Sequence, residues 1–397
     1  MRGPDLNRPI LTAALLLALP LTAAPARAPL APVYTDPHVV PPEVGPAPIA
    51  LLVDFNSGQT LYSKEPDRRF MPASLTKVMT LYVAFEMIKR GQLNPNAVTR
   101  MSEDAFKHWH AVGSTMFLDR QHDVTVHELL MGIANVSAND ACVVLAEAAA
   151  GSVPNWLALM NAEARKLGMK NSHFGTPNGW MDEGQTYITA RDYVTLASAI
   201  LSRHPDLYHE YIGRQTMTWN GITQHNHDPI LGKLEGADGI KTGFTNQAGY
   251  GFIGSAERGG RRLIMVLASV DRHQDRAKAA AALMDWGFAA FDSRALFAAG
   301  TTVGEARVQD GAAASVPLVA PGNYAATAPK GAAGPIKLRV VYDGPLKAPI
   351  ARGTPVASLE IRVGGSAPSR VPLLAGADVA RAGLFDRLLN GLRGLVS

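Results

Sequence analysis

The stretch "MPASLTKVMT", residues 71–80, sets a serine, Ser74, three residues ahead of a lysine, Lys77, at the front of an apolar run. The spacing is one helical turn, so the two side chains share a face. The run reads as a helix over residues 74–90 with Gly91 as its stop. Leu75, Val78, Met79, Leu81, Tyr82, Val83, Phe85, Met87 and Ile88 cover nearly every side of it. A helix that is apolar all round belongs in the middle of a domain. A serine at its start meets free backbone N–H groups and the positive end of the dipole, which favour an oxyanion. A lysine held in such a place is pushed toward its neutral form, in which it can take the serine proton. Alone the pair is weak, since average composition yields S-x-x-K about once or twice by chance in such a chain.

Before this stretch, residues 47–66 read as a hairpin around the turn "NSG". After it, "TVHE" (125–128) is a capping box opening "HELLMGIAN". Three further helices follow: one from Asn139 to Gly151, one over "VPNWLALMNAEARKLG", and one over "TARDYVTLASAIL" capped by Thr189. Beyond residue 215 the pattern turns to strands. "RQTMTWNGITQ" is strand–turn–strand, and residues 239–270 give two or three antiparallel strands with Gly-rich turns. "DRAKAAAALMDWGFAAF" closes as a helix. The order predicts an α+β domain over residues 35–298. Short alternating strands then predict a small all-β domain over 299–374.

Both ends differ in character. Residues 1–28 carry a basic front (Arg2, Arg8), an apolar stretch and the small-residue run "APARA", the pattern of an export signal. That apolar stretch is shorter than the roughly 20 residues needed to span a bilayer. At the other end, residues 378–397 put Leu384, Phe385, Leu388, Leu389, Leu392, Leu395 and Val396 on one helical stripe, with Arg381, Arg387 and Arg393 off it. This predicts an amphipathic helix lying in a membrane interface, the alternative being a helix docked on the β domain.

The 397 residues are 47% hydrophobic and 18% charged, enough apolar material for a large core. A net charge of +4 is too mild for a nucleic-acid footprint. The single cysteine, Cys142, excludes an intrachain disulfide and sits in an apolar helical run, where packing is the expected role.

Two short elements give the serine–lysine pair its context. "SAN", Ser137 to Asn139, lies between two helices and offers a hydroxyl for proton relay and an amide. "KTG", Lys241 to Gly243, lies on a strand and offers a cation, a hydroxyl and a glycine that lets a substrate approach. Singly they read as a helix cap and a solvated edge-strand lysine. In the order S-x-x-K, S-x-N, K-T-G they resemble the penicillin-binding, serine D,D-peptidase and β-lactamase superfamily. "ASLTKVMT", "SANDACVVLAE", "ITARDYVTLA" and "DGIKTGFTNQAGYGFIGSAERGGRRLI" are similar to its low-molecular-mass D-alanyl-D-alanine carboxypeptidases, as are the small β domain and amphipathic end.

The resemblance implies a penicillin-binding transpeptidase/β-lactamase-like domain and a periplasmic enzyme, attached peripherally to the inner membrane, that acts in cell-wall biogenesis and cell shape. It would remove the terminal D-alanine of peptidoglycan stem pentapeptides and be inhibited by β-lactams, with no cofactor and no metal. Ser74 would be the nucleophile, Lys77 the general base, Ser137 the proton relay, and Asn139 the group orienting the peptide and Lys77. Lys241 would keep the site cationic and lower the Lys77 pKa. Thr242 and Arg276 would hold the substrate carboxylate, Gly243 would permit close approach, and the N–H groups of Ser74 and Phe244 would form the oxyanion hole.

The sequence departs from many relatives in having Ala138 within S-x-N and Phe244 where some carry histidine. A D,D-endopeptidase would share the motifs. A β-lactamase of the most similar class needs E-x-x-x-N between S-x-N and K-T-G; Glu147, Glu163, Glu183 and Glu210 do not supply it. A non-catalytic wall-binding protein would not need the intact Ser74, Lys77, Ser137 and Lys241. "GYGFIG" (249–254) matches a dinucleotide fingerprint but lacks a following helix, and reads as strand and turn. "HWH" (108–110) and "HNH" (225–227) lack metal-site company.

Overall fold

The computed structural model describes residues 36–383, residue 333 apart. The expected export segment at 1–28 and the expected terminal helix beyond residue 383 lie outside the described residues. The described part of that expected helix, residues 378–383, is not helical: Val379 bridges Ile350 and Arg381 bridges Gly311.

The first domain is built on a five-stranded sheet. The hairpin is β1 (Ile49–Asp54) and β2 (Thr60–Lys64). Two short pairs follow, β3 (Val98–Thr99) with β4 (Val124–Thr125), and β5 (Thr216–Trp219) with β6 (Ile222–His225). β7 (Ala237–Thr245), β8 (Gly249–Arg258) and β9 (Arg261–Val270) complete the sheet in the order β2-β1-β9-β8-β7, all antiparallel. β7 therefore forms an open edge.

All six residues of β1 are buried because both faces of the sheet are covered. Ile49, Leu51, Val53, Ile264 and Val266 pack toward one apolar cluster. That cluster is formed with α1 (Lys77–Lys89), α2 (Glu103–Trp109), α3 (Val126–Met131), α4 (Asn139–Ala150), α5 (Val153–Lys166), α6 (Ala190–Arg203) and α7 (Pro205–Tyr211). Ala50, Leu52, Leu263 and Met265 pack toward a second cluster with Leu283, Met284 and Trp286 of α8 (His273–Ala289). The two-residue alternation of a strand thus feeds two cores. α1 is buried continuously from Lys77 to Glu86, as its all-round apolar pattern predicts.

Local signals act where they are read. Thr125 and Glu128 form the reciprocal capping box of α3, and the Thr189 side chain caps α6 by accepting from Asp192 N. One expected helix is interrupted: "HELLMGIAN" is α-helical only to Met131, then widens into a π-turn over Gly132–Val136. The widening ends at Ser137, which adopts φ 62°. Such turns occur often at functional sites.

The second domain is all-β. β10 (Phe291–Phe297), β11 (Thr302–Gln309), β12 (Ser315–Val319), β13 (Tyr324–Pro329), β14 (Ile336–Val341), β15 (Leu346–Lys347), β16 (Pro355–Val363) and β17 (Ser369–Ala375) form a two-stranded and a six-stranded sheet around their own core. β10 pairs with β13, so the strand layer begins at Phe291 rather than at residue 299. The β1–β2 turn holds this domain. Asn56 Nδ2 donates to Asn323 O at 2.8 Å, Thr327 Oγ1 to Asp54 Oδ2 at 3.0 Å, and Ser369 Oγ to Ser57 O at 2.6 Å.

Candidate active site

Ser74 lies in a single 3₁₀ turn, Ala73–Thr76, that leads into α1. Ala73 before it has φ 50°, an uncommon backbone for a non-glycine residue. This turn is braced from two sides by glycines. A Cβ on Gly179 would sit 1.8 Å from Ala73 O, and one on Gly243 would sit 2.7 Å from Pro72 O. Gly243 is the glycine of "KTG", so β7 runs directly beside the Ser74 turn.

Lys77 is fully buried, and its Nζ lies 2.9 Å from Ser74 Oγ, 2.7 Å from Asn139 Oδ1 and 2.7 Å from Asn178 O. Two of these partners can only accept. The Asn139 amide cannot be turned about, because its Nδ2 donates to Val112 O at 3.0 Å. A neutral Lys77 therefore spends its two N–H donors on Asn139 and Asn178 and aims its lone pair at the Ser74 hydroxyl. Burial pushes the Lys77 amine down to about 8, with the Asp140 carboxylate opposing.

Ser137 and Asn139 are buried on the π-turn and the first residue of α4. The loop facing them is fixed by Asp140, whose carboxylate accepts from Met116 N at 3.1 Å and Leu118 N at 3.0 Å. Asn139 N donates to Ser114 O at 2.7 Å.

Lys241, Thr242 and Gly243 lie on edge strand β7, yet Lys241 is buried rather than solvated. Its Nζ donates to Thr242 O at 3.0 Å. Burial first, and then repulsion from Lys77, push its amine well below the ordinary lysine value. Both amines are lowered by burial, and the repulsion between them is mutual. Arg276 of α8 is buried beside this pair, with Nη1 3.4 Å from Gly251 O and Nε without a partner among the described residues. Phe244 is half-exposed, its ring stacked on Tyr250 at 4.1 Å between centroids.

The structure brings Ser74, Lys77 and Asn139 into contact and sets Gly243 of β7 against the Ser74 turn, with Ser137 next to Asn139 in the chain and Lys241 and Thr242 next to Gly243. Comparison with known proteins gives the same answer from outside. Residues 38–271 match the family model of D-alanyl-D-alanine carboxypeptidase, and residues 291–381 match that of the penicillin-binding protein 5 C-terminal domain. The chain belongs to the D-alanyl-D-alanine carboxypeptidase family.

It is 36% identical over 357 residues to D-alanyl-D-alanine carboxypeptidase DacA of Haemophilus influenzae, covering 89% of this chain and 90% of that one. It is 34% identical over 353 residues to DacD of Escherichia coli, covering 88% and 90%. Among solved structures it is similar to penicillin binding protein 5 of Haemophilus influenzae. There the TM-score is 0.68 at 35% identity, over 86% of this chain and all of that one. It also resembles penicillin-binding protein D2 of Listeria monocytogenes in its ampicillin-bound form. That match has a TM-score of 0.56 at 30% identity, over 61% of this chain and 97% of that one. The chain is accordingly a serine peptidase with a penicillin-binding transpeptidase-like domain and an all-β second domain.

Sequence reasoning missed some members of this carboxypeptidase's site. Asn178 contributes only its carbonyl, which carries no residue-type signal; the turn dipeptide Asn178–Gly179 was the available hint. Asp228 and His227 lie near the Lys241–Arg276 pair. His227 is pushed below the usual histidine value by burial and by Lys241, Arg276 and His273. "GYGFIG" forms the first half of β8, with no helix opening there. Among the described residues no group of His, Cys, Asp and Glu converges as a metal site.

Proposed function

We propose that this carboxypeptidase is exported to the periplasm, rests on the inner-membrane surface through its tail, and trims the terminal D-alanine from peptidoglycan stem pentapeptides. The observation that carries the chemistry is the lone-pair geometry of Lys77. Its two acceptor-only partners leave Ser74 as the one group that can give it a proton.

Ser74 Oγ attacks the carbonyl carbon of the penultimate D-alanine as its proton passes to Lys77 Nζ. Negative charge develops on the carbonyl oxygen, where the backbone N–H groups of Ser74 and Phe244 stabilise it. Collapse breaks the C–N bond, and the proton passes from Lys77 through Ser137 to the departing amine. Water, deprotonated by Lys77, then releases the acyl group and restores Ser74. Thr242 and Arg276 hold the terminal carboxylate, and that anion lets the buried Lys241 keep its proton. β-Lactams place a cyclic amide at the same carbonyl position and acylate Ser74.

Mass spectrometry of a pentapeptide product, with Ser74→Ala as control, tests this reading. Loss of one alanine that depends on Ser74 is expected. Cleavage of crosslinked peptides with no loss from the pentapeptide would make the enzyme an endopeptidase instead.

A further inference from the structure

The cleft at Ser74 does not end at the nucleophile. Ala73, Thr245 and Trp180 line its near part, together with Met71 and Gln247. Met71 and Gln247 also line a neighbouring cavity of about 310 Å³, whose walls include Arg68, Arg69, Tyr187 and Ser269. The two spaces adjoin at Met71 and Gln247, the first lying against the Ser74 turn at Ala73.

The neighbouring cavity is basic and partly built. Arg69 is held: its guanidinium stacks over the Tyr187 ring at 4.6 Å, and Nη2 donates to Asn171 Oδ1 at 3.0 Å. The Arg68 side chain, by contrast, has no hydrogen-bond or ion-pair partner among the described residues. No carboxylate lines the cavity. Asp67 is paired with Arg191 (2.7 Å), and Asp182 in the near cleft accepts from the Thr186 hydroxyl. Ser269 reaches the wall through a bulge. The β8–β9 register slips between Tyr250 and Phe252, and Ser269 takes φ 58° there. Bulges beside active sites commonly re-aim a side chain in this way.

The direction of the substrate chain decides what arrives here. If the terminal carboxylate lies at Thr242 and Arg276 and the scissile carbonyl at Phe244, the peptide adds to edge β7 in an antiparallel sense. Its upstream residues then pass Thr245 and reach Gln247 and the basic cavity. We propose that this cavity is an upstream subsite of the proposed carboxypeptidase, in which Arg68 and Arg69 bind a free carboxylate on the second residue of the pentapeptide. The inference rests on the reading of the activity given above. It makes the two arginines determinants of specificity for acidic over amidated stems.

Two pentapeptides ending in D-Ala-D-Ala test it, one with a free carboxylate on its second residue and one with that carboxylate amidated. The readout is the ratio of kcat/KM for the acidic peptide over the amidated one. The wild-type ratio exceeds one and falls with added salt, as for exposed ion pairs. Arg68→Gln with Arg69→Gln lowers the ratio about fivefold, the reach of exposed pairs, chiefly through KM, and Arg68→Lys retains most of it. A purely structural role for the arginines would slow both peptides equally and leave the ratio alone. A wild-type ratio of one, or a ratio indifferent to the double substitution, overturns the subsite while leaving the carboxypeptidase intact. Release of D-alanine from neither peptide by wild-type protein that fluorescent penicillin labels would overturn the activity itself.

Discussion

Acylation of Ser74 should titrate with Lys77. An ordinary lysine at 10.5 is neutral in only about 0.03% of molecules at pH 7. At about 8, where burial sets it, the neutral share is roughly 10%. Burial thus raises the population of active base about 300-fold at neutral pH. The second-order rate of labelling by a fluorescent penicillin, followed by stopped flow from pH 6 to 10, should climb about tenfold per unit at the acid end and level off above about 8. The profile reports the free enzyme, in which Lys77 has only Ser74, Asn139 and Asn178 as partners. Lys77→Ala should fold normally and lose nearly all labelling. A flat profile between pH 6 and 9, a rise continuing past 10, or wild-type labelling in Lys77→Ala would each remove Lys77 as the base.

Three other perturbations follow from the same contacts. Gly179→Ala drives a Cβ into Ala73 O at a residue with φ 78°, so the Ser74 turn must shift; labelling should fall more than tenfold, with a Tm loss of several degrees in a thermal melt. Glu86 is pushed up by burial, but the His204 hydrogen bond and the Arg203 and Arg90 charges outweigh this and hold it near 2, below its usual 4.5. Because its folded pKa is depressed, this stabilisation, at most about 3 kcal/mol, is present above pH ~4.5 and fades as pH falls toward 2. Glu86→Gln should flatten that acid limb in urea titrations run at several pH values. Finally, Leu388→Glu with Leu392→Glu should move the protein from the membrane to the soluble fraction without changing D-alanine release, and unchanged membrane recovery would refute the anchor.

The architecture was legible wherever one pattern served one purpose. α1 reads as a central helix because apolar residues cover nearly every side of it, and it is buried from Lys77 to Glu86; the capping residues Thr125 and Thr189 mark real starts. What escaped was geometry made by several segments at once. The π-turn before Ser137 has no residue-type signature; in the fold Met116 lies against Gly132 and Ala138 N bonds back to Gly132 O. Taken singly, Lys241 reads as a solvated edge-strand lysine, because a strand pattern does not reveal that the Ser74 turn packs against β7 and that the lysine is buried. β10 carries no strand signal in the sequence, because "FDSRALF" alternates poorly and its pairing partners, from Pro329 opposite Phe291 to Tyr324 opposite Phe297, lie far along the chain.

These misses share a cause with the catalytic device. A lysine on a solvated helix would keep its charge, and Ser74 would then face an ammonium that cannot accept a proton. Burying Lys77 among apolar neighbours costs stability unless each of its donors is met. Asn139 and Asn178 meet two of them, from segments 62 and 101 residues away. The sequence pair Ser74–Lys77 sets the distance between nucleophile and base; the remote oxygens set the protonation state and aim the lone pair. That division explains why S-x-x-K alone is chemically mute. It also explains why the residues that make it active are a side-chain amide on one helix start and a backbone carbonyl in a turn, both accepting from the same nitrogen.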